Sequence, residues 1–230
     1  MSVFFFKEMG RVKTDILALG TMVEERLHKA VEAVINRDAE LAGDVIANDT
    51  DVDAMEVEIE EELLKIMALH QPVAVDLRFL VATLKINNDL ERIGDLAVNI
   101  AERAQVLNRK AHQAMPVDLA QMSQAVERML RDSIDALVNL DTRTAASVCK
   151  NDDSIDNMKH DIDRILKKRM AEESDKDAID VLVALLRVSR DLERIADHAT
   201  NIAEDLIYLT EGRIIRHHAD EYVREQTAAT

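Results

Sequence analysis

The chain has 230 residues but only one cysteine, two prolines, five glycines, six aromatic residues and no tryptophan. Strands and tight turns draw on aromatic and β-branched residues, glycine and proline. Their scarcity, beside abundant Ala, Leu, Glu, Asp, Arg and Met, predicts an all-α chain. Cys149 has no partner in sequence, which excludes an internal disulfide and a cysteine-rich metal site and fits a reducing compartment. No apolar run approaches a membrane span; the longest is Val181–Leu186. The start, Met1 to Glu8, has no basic segment and too short an apolar stretch for a signal peptide, so a cytoplasmic protein without membrane insertion is expected. Positive charge is also short: 29 Lys and Arg stand against 45 Asp and Glu, a net charge of −16. That field opposes nucleic-acid binding and favours cations and basic partner surfaces.

What the chain does have is a long internal repeat. Asp89 to Glu102 reads DLERIGDLAVNIAE and Asp191 to Glu204 reads DLERIADHATNIAE, identical at 11 of 14 positions. Upstream, Asn48-Asp49-x-x-Val52-Asp53-x-Met55 answers Asn151-Asp152-x-x-Ile155-Asp156-x-Met158, and Asn36-x-Asp38 answers Asn139-x-Asp141. The offset is 102 residues in the first pair and 103 in the others. Units of that size make two domains, not a solenoid of short repeats. The expected units are residues 1–114 and 115–218, followed by a tail at 219–230.

Each unit reads as three long helices. Val12, Ile16, Leu19, Val23, Leu27, Val31, Val34 and Ile35 recur at helical spacing and predict a helix over 8–36. Asp38 suits the cap of a short helix, and Asn48 or Asp49 the cap of a second rod at about 49–70. Pro72 marks a break and suits the first turn of a third helix running to about 110. The second unit predicts helices at 117–139, 142–171 and 176–210, with Pro116 between the units. Long helices with short connections pack as antiparallel bundles. The polar tail is expected to fray beyond His218, and Phe4-Phe5-Phe6 to plug a bundle end.

The carboxylates fall on stripes. At about 100° per residue, Glu91 and Asp95 lie opposite the apolar side of their helix, as do Glu193 and Asp197. Asp49, Asp53, Glu56 and Glu60 share a stripe that flanks a buried edge and can meet the acidic face of the third helix. Asp152 and Asp156 repeat its start. A solvated acidic face is the plain alternative. Like charges at this spacing destabilise a helix by a few tenths of a kcal/mol, roughly, yet the pattern occurs four times at matching places. Clustered hard oxygens suit Mg²⁺, Mn²⁺ or iron. The expected metal residues are therefore Asp49, Asp53, Glu56, Glu91, Asp95, Asp152, Asp156, Glu193 and Asp197, with Mg, Mn, Zn or Fe as the ion.

The twin E-R-I-[GA]-D-x-x-x-N-I-A-E segments, the Asn-Asp-x-x-x-Asp segments, Gln71-Pro72-Val73-Ala74-Val75-Asp76-Leu77-Arg78 and Glu211-Gly212-Arg213-Ile214-Ile215-Arg216-His217 together resemble the PhoU family, over about residues 8–217. The resemblance implies two similar three-helix bundles with a surface metal cluster on each. The family's (Glu/Asp)-x-x-x-Asp motifs map to Asp49/Asp53, Glu91/Asp95, Asp152/Asp156 and Glu193/Asp197. It further implies a non-catalytic regulator that holds the phosphate-starvation response off when phosphate is abundant. The implied partners are the ATPase subunit of the phosphate ABC transporter, a sensor histidine kinase and a second copy of the chain. One departure stands out: the repeat carries Glu56 onto Lys159, which places a positive charge in the second patch.

Two other readings remain open on the sequence. A carboxylate-bridged di-iron enzyme uses paired Glu-x-x-His motifs in a bundle core, and Glu25-x-x-His28 stands alone here. A helical adaptor without metal is the other. No glycine-rich phosphate loop or Ser-His-Asp order is present.

Overall fold

The computed structural model describes residues 3–108, 115–216 and 218–228. Among them are eight helices and no strand: α1 (Val3–Ile35), α2 (Ala39–Ala47), α3 (Asp49–His70), α4 (Val75–Asn108), α5 (Leu119–Asn139), α6 (Thr142–Glu172), α7 (Lys176–Glu211) and α8 (Ala219–Ala228). The first bundle is α1, the broken rod α2–α3, and α4. The second is α5, α6 and α7. The largest helix–helix interface is α4 against α7, which joins the two repeats through their third helices.

Local chemistry sets the boundaries. Asp38, Asp118, Asp141 and Asp175 each cap a helix, accepting from backbone N–H groups of the first turn; each such cap is worth about 1 kcal/mol. Asp38 and Asp141 do so at equivalent places in the two repeats. The apolar stripe of α1 is buried from Val12 through Val34, as its spacing predicts, but Ile35, expected to close it, is exposed at the helix end. Small residues Ala97, Ala101 and Ala104 on α4 and Ala196, Ala199 and Ala203 on α7 are fully buried or nearly so. They let these long helices approach closely.

Several expectations need correction. Helix α1 begins at Val3, because Phe5 is buried against the His70 ring (centroids 5.2 Å apart) and extends the packed face. Phe4 and Phe6 are exposed, so only one of the three phenylalanines plugs the bundle end. Asn48 stands at the start of α3 but does not cap it; its side chain donates back to Asp44 instead. Pro72 lies outside α4. It follows Gln71, which ends α3 in the left-handed region at φ 46°, and so marks the stop of one helix rather than the start of the next. The described part of α4 ends at Asn108; residues 109 and 110 lie outside the described residues, as does His217. The tail does not simply fray. Helix α8 folds back on α6, buries Tyr222 and ties its hydroxyl to Glu211 Oε1 at 2.7 Å.

The two repeats also differ in their second rod. In the first, the rod breaks at Asn48, where Arg26 donates to the carbonyl oxygens of Asn48 and Asp49. In the second, Met129 occupies the place of Arg26, and α6 runs unbroken past Asn151. A guanidinium that draws two carbonyls out of the helical ladder accounts for the break.

Candidate metal centre

Helix α3 and helix α4 pack so that their acidic stripes face each other. Asp49 and Asp53 lie one turn apart on α3, and Asp95 comes from α4. One carboxylate oxygen from each lies within 4.8 Å of the others, a group that could hold a metal ion. Gly94 allows the close approach. A methyl group on Gly94 would stand 3.1 Å from Val52 Cγ1 and 3.6 Å from Arg26 Nη1. The bare glycine lets α3 and Arg26 settle beside Asp95. The second repeat has Ala196 and the bulkier Ile155 at these places.

Electrostatics describe an ion-seeking patch. Burial, then the neighbouring Asp53, raises the Asp49 carboxyl above its ordinary range, while Arg26 works against the rise. Glu56 is raised by burial and by Glu60. Glu91 is raised by burial and by Asp95, with Arg92 opposing. Carboxylates in partial burial beside like charges are costly to keep ionised. A cation relieves both terms. Arg26 supplies some of that charge: its side chain is only 8% exposed, and Nη1 lies 3.1 Å from Asp49 Oδ1.

The structure places Glu56 and Glu91 in the same groove but outside the three-Asp group. It also corrects their expected exposure. Glu91 and Asp95 point away from the core of α4, yet α3 covers them, so both are half-buried.

In the second repeat Asp152 and Asp156 on α6 face Glu193 and Asp197 on α7. Asp197 is pushed up to about 6, by burial first and then by Asp152, Glu193 and Asp156. Asp152 is raised by burial and by Asp156, while Thr200 Oγ1, 3.3 Å from Asp152 Oδ1, donates and lowers it. Lys159 Nζ lies 3.7 Å from Glu193 Oε1, so its charge enters the patch as the repeat alignment implies. Among the described residues no three ligand groups of this repeat come as close as the three aspartates of the first.

Sequence reasoning missed Arg26, although a signal was present: a charged residue interrupts an apolar stripe whose partner copy carries Met129. It also missed Asp89, which accepts from Asn201 at 3.2 Å and pairs with His198 at 2.7 Å. The lone Glu25/His28 pair lies outside the bundle core. His28 is 63% exposed and pairs with Glu127 of α5 on the surface. Cys149 is buried, and burial pushes its thiol up to about 12, so it is inert at neutral pH.

The arrangement defines a class: a tandem-repeat helical protein with carboxylate grooves between its second and third helices. The PhoU domain matches residues 16–104 and 119–206. A PhoU homologue of the phosphate-specific transport system from Aquifex aeolicus is 39% identical over 96% of this chain and 98% of its own. One from Clostridium acetobutylicum is 36% identical over 91% and 95%. The crystal structure of PhoU from Pseudomonas aeruginosa superposes with a TM-score of 0.87 at 37% identity, covering 91% of this chain and all of that one. The phosphate transport regulatory protein PhoU from Streptococcus pneumoniae gives 0.82 at 30%, over 91% and 98%. The chain belongs to the PhoU family.

Proposed function

We propose that this chain is a PhoU-type accessory regulator of a phosphate-specific transport system, holding the phosphate-starvation response off when phosphate is plentiful. The observation that carries the reading is the end-to-end match: relatives named for this system align with more than nine-tenths of the chain and of themselves. The physical character agrees. Two related faces on a stiff helical frame suit simultaneous docking to the transporter's ATPase subunit and to a sensor histidine kinase. A second copy of the chain is a further partner. Such a bridge works by binding the partners' alternative states with different affinities and needs no turnover. No helix among the described residues is long and apolar enough to cross a membrane.

The acidic grooves are the metal sites of this reading. Asp49, Asp53 and Asp95, with Glu56 and Glu91 beside them, take a hard divalent or iron-type ion, among Mg, Mn, Zn and Fe. Asp152, Asp156, Glu193 and Asp197 form the second and weaker site. The test is a phosphate-regulated promoter fused to a reporter, in cells grown with excess phosphate. Deletion of the gene should switch the reporter on. A reporter that stays silent removes the regulatory role.

A further inference from the structure

Among the described residues, the six large apolar side chains that are more than three-fifths exposed are Phe4, Phe6, Leu69, Val73, Val75 and Ile214, at 61–72%. All six stand at one end of the molecule. Helix α1 starts there and α3 stops there, with the Phe4 and His70 ring centroids 6.4 Å apart. Residues 71–74 connect α3 to α4, which starts at Val75. The end of α7 adjoins them, since Gly212 packs against Arg78 in the first turn of α4. Exposed apolar residues scattered singly are ordinary, but six at one place mark a surface that meets something.

Charge separates the possible partners. The chain carries −16 overall, yet residues 3–14 and 63–78, which build this end, hold five Lys and Arg against two acids. One of those acids, Glu8, is buried, with its Oε2 2.7 Å from His70 Nε2. Lys7, Arg11, Lys13 and Lys65 are exposed. Arg11 pairs with Asp15 and Lys65 with Glu62, while Lys7 and Lys13 have no ion-pair partner among the described residues. A second copy docking by the same end would set like charges against each other. Side chains this exposed wall no deep groove for a partner helix. Projecting aromatic residues beside free lysines suit a bilayer surface with anionic headgroups. The first carboxylate groove does not oppose that contact. Asp53 lies about 25 Å of helix rise from His70 along α3, and salt screens charge over about 8–10 Å.

We propose that this end of the molecule docks peripherally on an anionic phospholipid surface, with Phe4 and Phe6 entering the headgroup region and Lys7 and Lys13 reaching its phosphates. The contact is shallow, and no helix among the described residues is long and apolar enough to span. It goes beyond the regulatory reading and does not depend on it. The test is co-sedimentation of the full chain, held metal-free with a chelator at low salt, with vesicles of phosphatidylcholine alone or with an equal part of phosphatidylglycerol. Wild type should bind the anionic vesicles about tenfold more tightly than the neutral ones, and high salt should release it. Lys7→Glu/Lys13→Glu and Phe4→Ser/Phe6→Ser should each weaken that binding about tenfold and melt like wild type, because the four side chains are exposed. Val57→Ser, which removes an exposed apolar residue in the middle of α3, should bind like wild type. The chain has no tryptophan, so Phe4→Trp is a single reporter whose emission should shift to the blue with the anionic vesicles only. A wild-type chain that binds neither vesicle overturns the proposal, as do lysine and phenylalanine variants at wild-type affinity. A dimer that Phe4→Ser/Phe6→Ser abolishes, without vesicle binding, also overturns it and gives this end to a second copy of the chain.

Discussion

His198 Nδ1 and Asp89 Oδ1 lie 2.7 Å apart across the α4–α7 interface, one residue from each repeat. Their side chains are 19% and 14% exposed, and Asn201 donates to the same oxygen at 3.2 Å. The equivalents elsewhere are Leu96 and Asp191. Asp191 is served differently: burial raises its carboxyl, and Arg103 offsets the rise. The repeats therefore place the same aspartate at the same interface and give it different partners.

His198→Leu installs the side chain that the first repeat has at this place. It leaves Asp89 with Asn201 alone in a mostly covered site. A loss of about 1–2 kcal/mol in unfolding free energy is expected, the size of one charge-assisted hydrogen bond and its desolvated partner. Urea denaturation of the metal-free chain measures it, with an unchanged slope marking an intact native state.

Asp197 gives a pH dependence whose sign is opposite to that of a salt-bridged carboxylate. Its folded-state value, about 6, is above the ordinary 3.8. Between those values the native state holds a proton that the unfolded state has lost. Stability from this group is thus present below about pH 4 and is lost as pH rises through about 6. The metal-free protein should melt at a higher temperature at pH 5 than at pH 7. Asp49, Glu56, Glu91 and Asp152, all raised by burial, act in the same direction. Saturating Mg²⁺ or Mn²⁺ should flatten the profile, because a bound ion replaces the proton. Calorimetry at the two pH values, with and without metal, checks this.

Gly212 closes α7 in the left-handed region at φ 72°, and a Cβ there would meet Arg78 Nη1 at 1.8 Å. Gly212→Ala should cost roughly 1–2 kcal/mol for the backbone conformation alone. Displacing Arg78 adds to that. In an Arg78→Ala background the same substitution should cost less, because only the backbone part remains. A double-mutant cycle in urea separates the two.

Much of the fold was legible because helical periodicity is redundant. The stripe from Val12 to Val34, the capping Asp38 with its repeat counterpart Asp141, and the twin segments at Asp89 and Asp191 each reported the same architecture independently. Helix α8 escaped because its sequence is mostly polar; among its described residues Tyr222 is buried and Ala219 and Val223 pack partly against the core. Pro72 was misplaced because proline serves equally after a helix end and at a helix start; only the left-handed Gln71 decides between them. For the site, spacing located the carboxylates on their own helices. It could not say that Gly94 admits α3 so closely, or that Arg26 reaches Asp49 from α1, since both depend on packing between helices.

The measurement that bears most directly on the account asks whether the aspartate group serves regulation. A strain lacking the gene, carrying the phosphate-regulated reporter in excess phosphate, is complemented with wild type or with Asp49→Asn/Asp53→Asn/Asp95→Asn at equal protein level. Wild type should silence the reporter. The triple variant should remain folded by circular dichroism, lose the metal of this group and leave the reporter on. A triple variant that has lost its metal and still silences the reporter as fully as wild type would contradict the account.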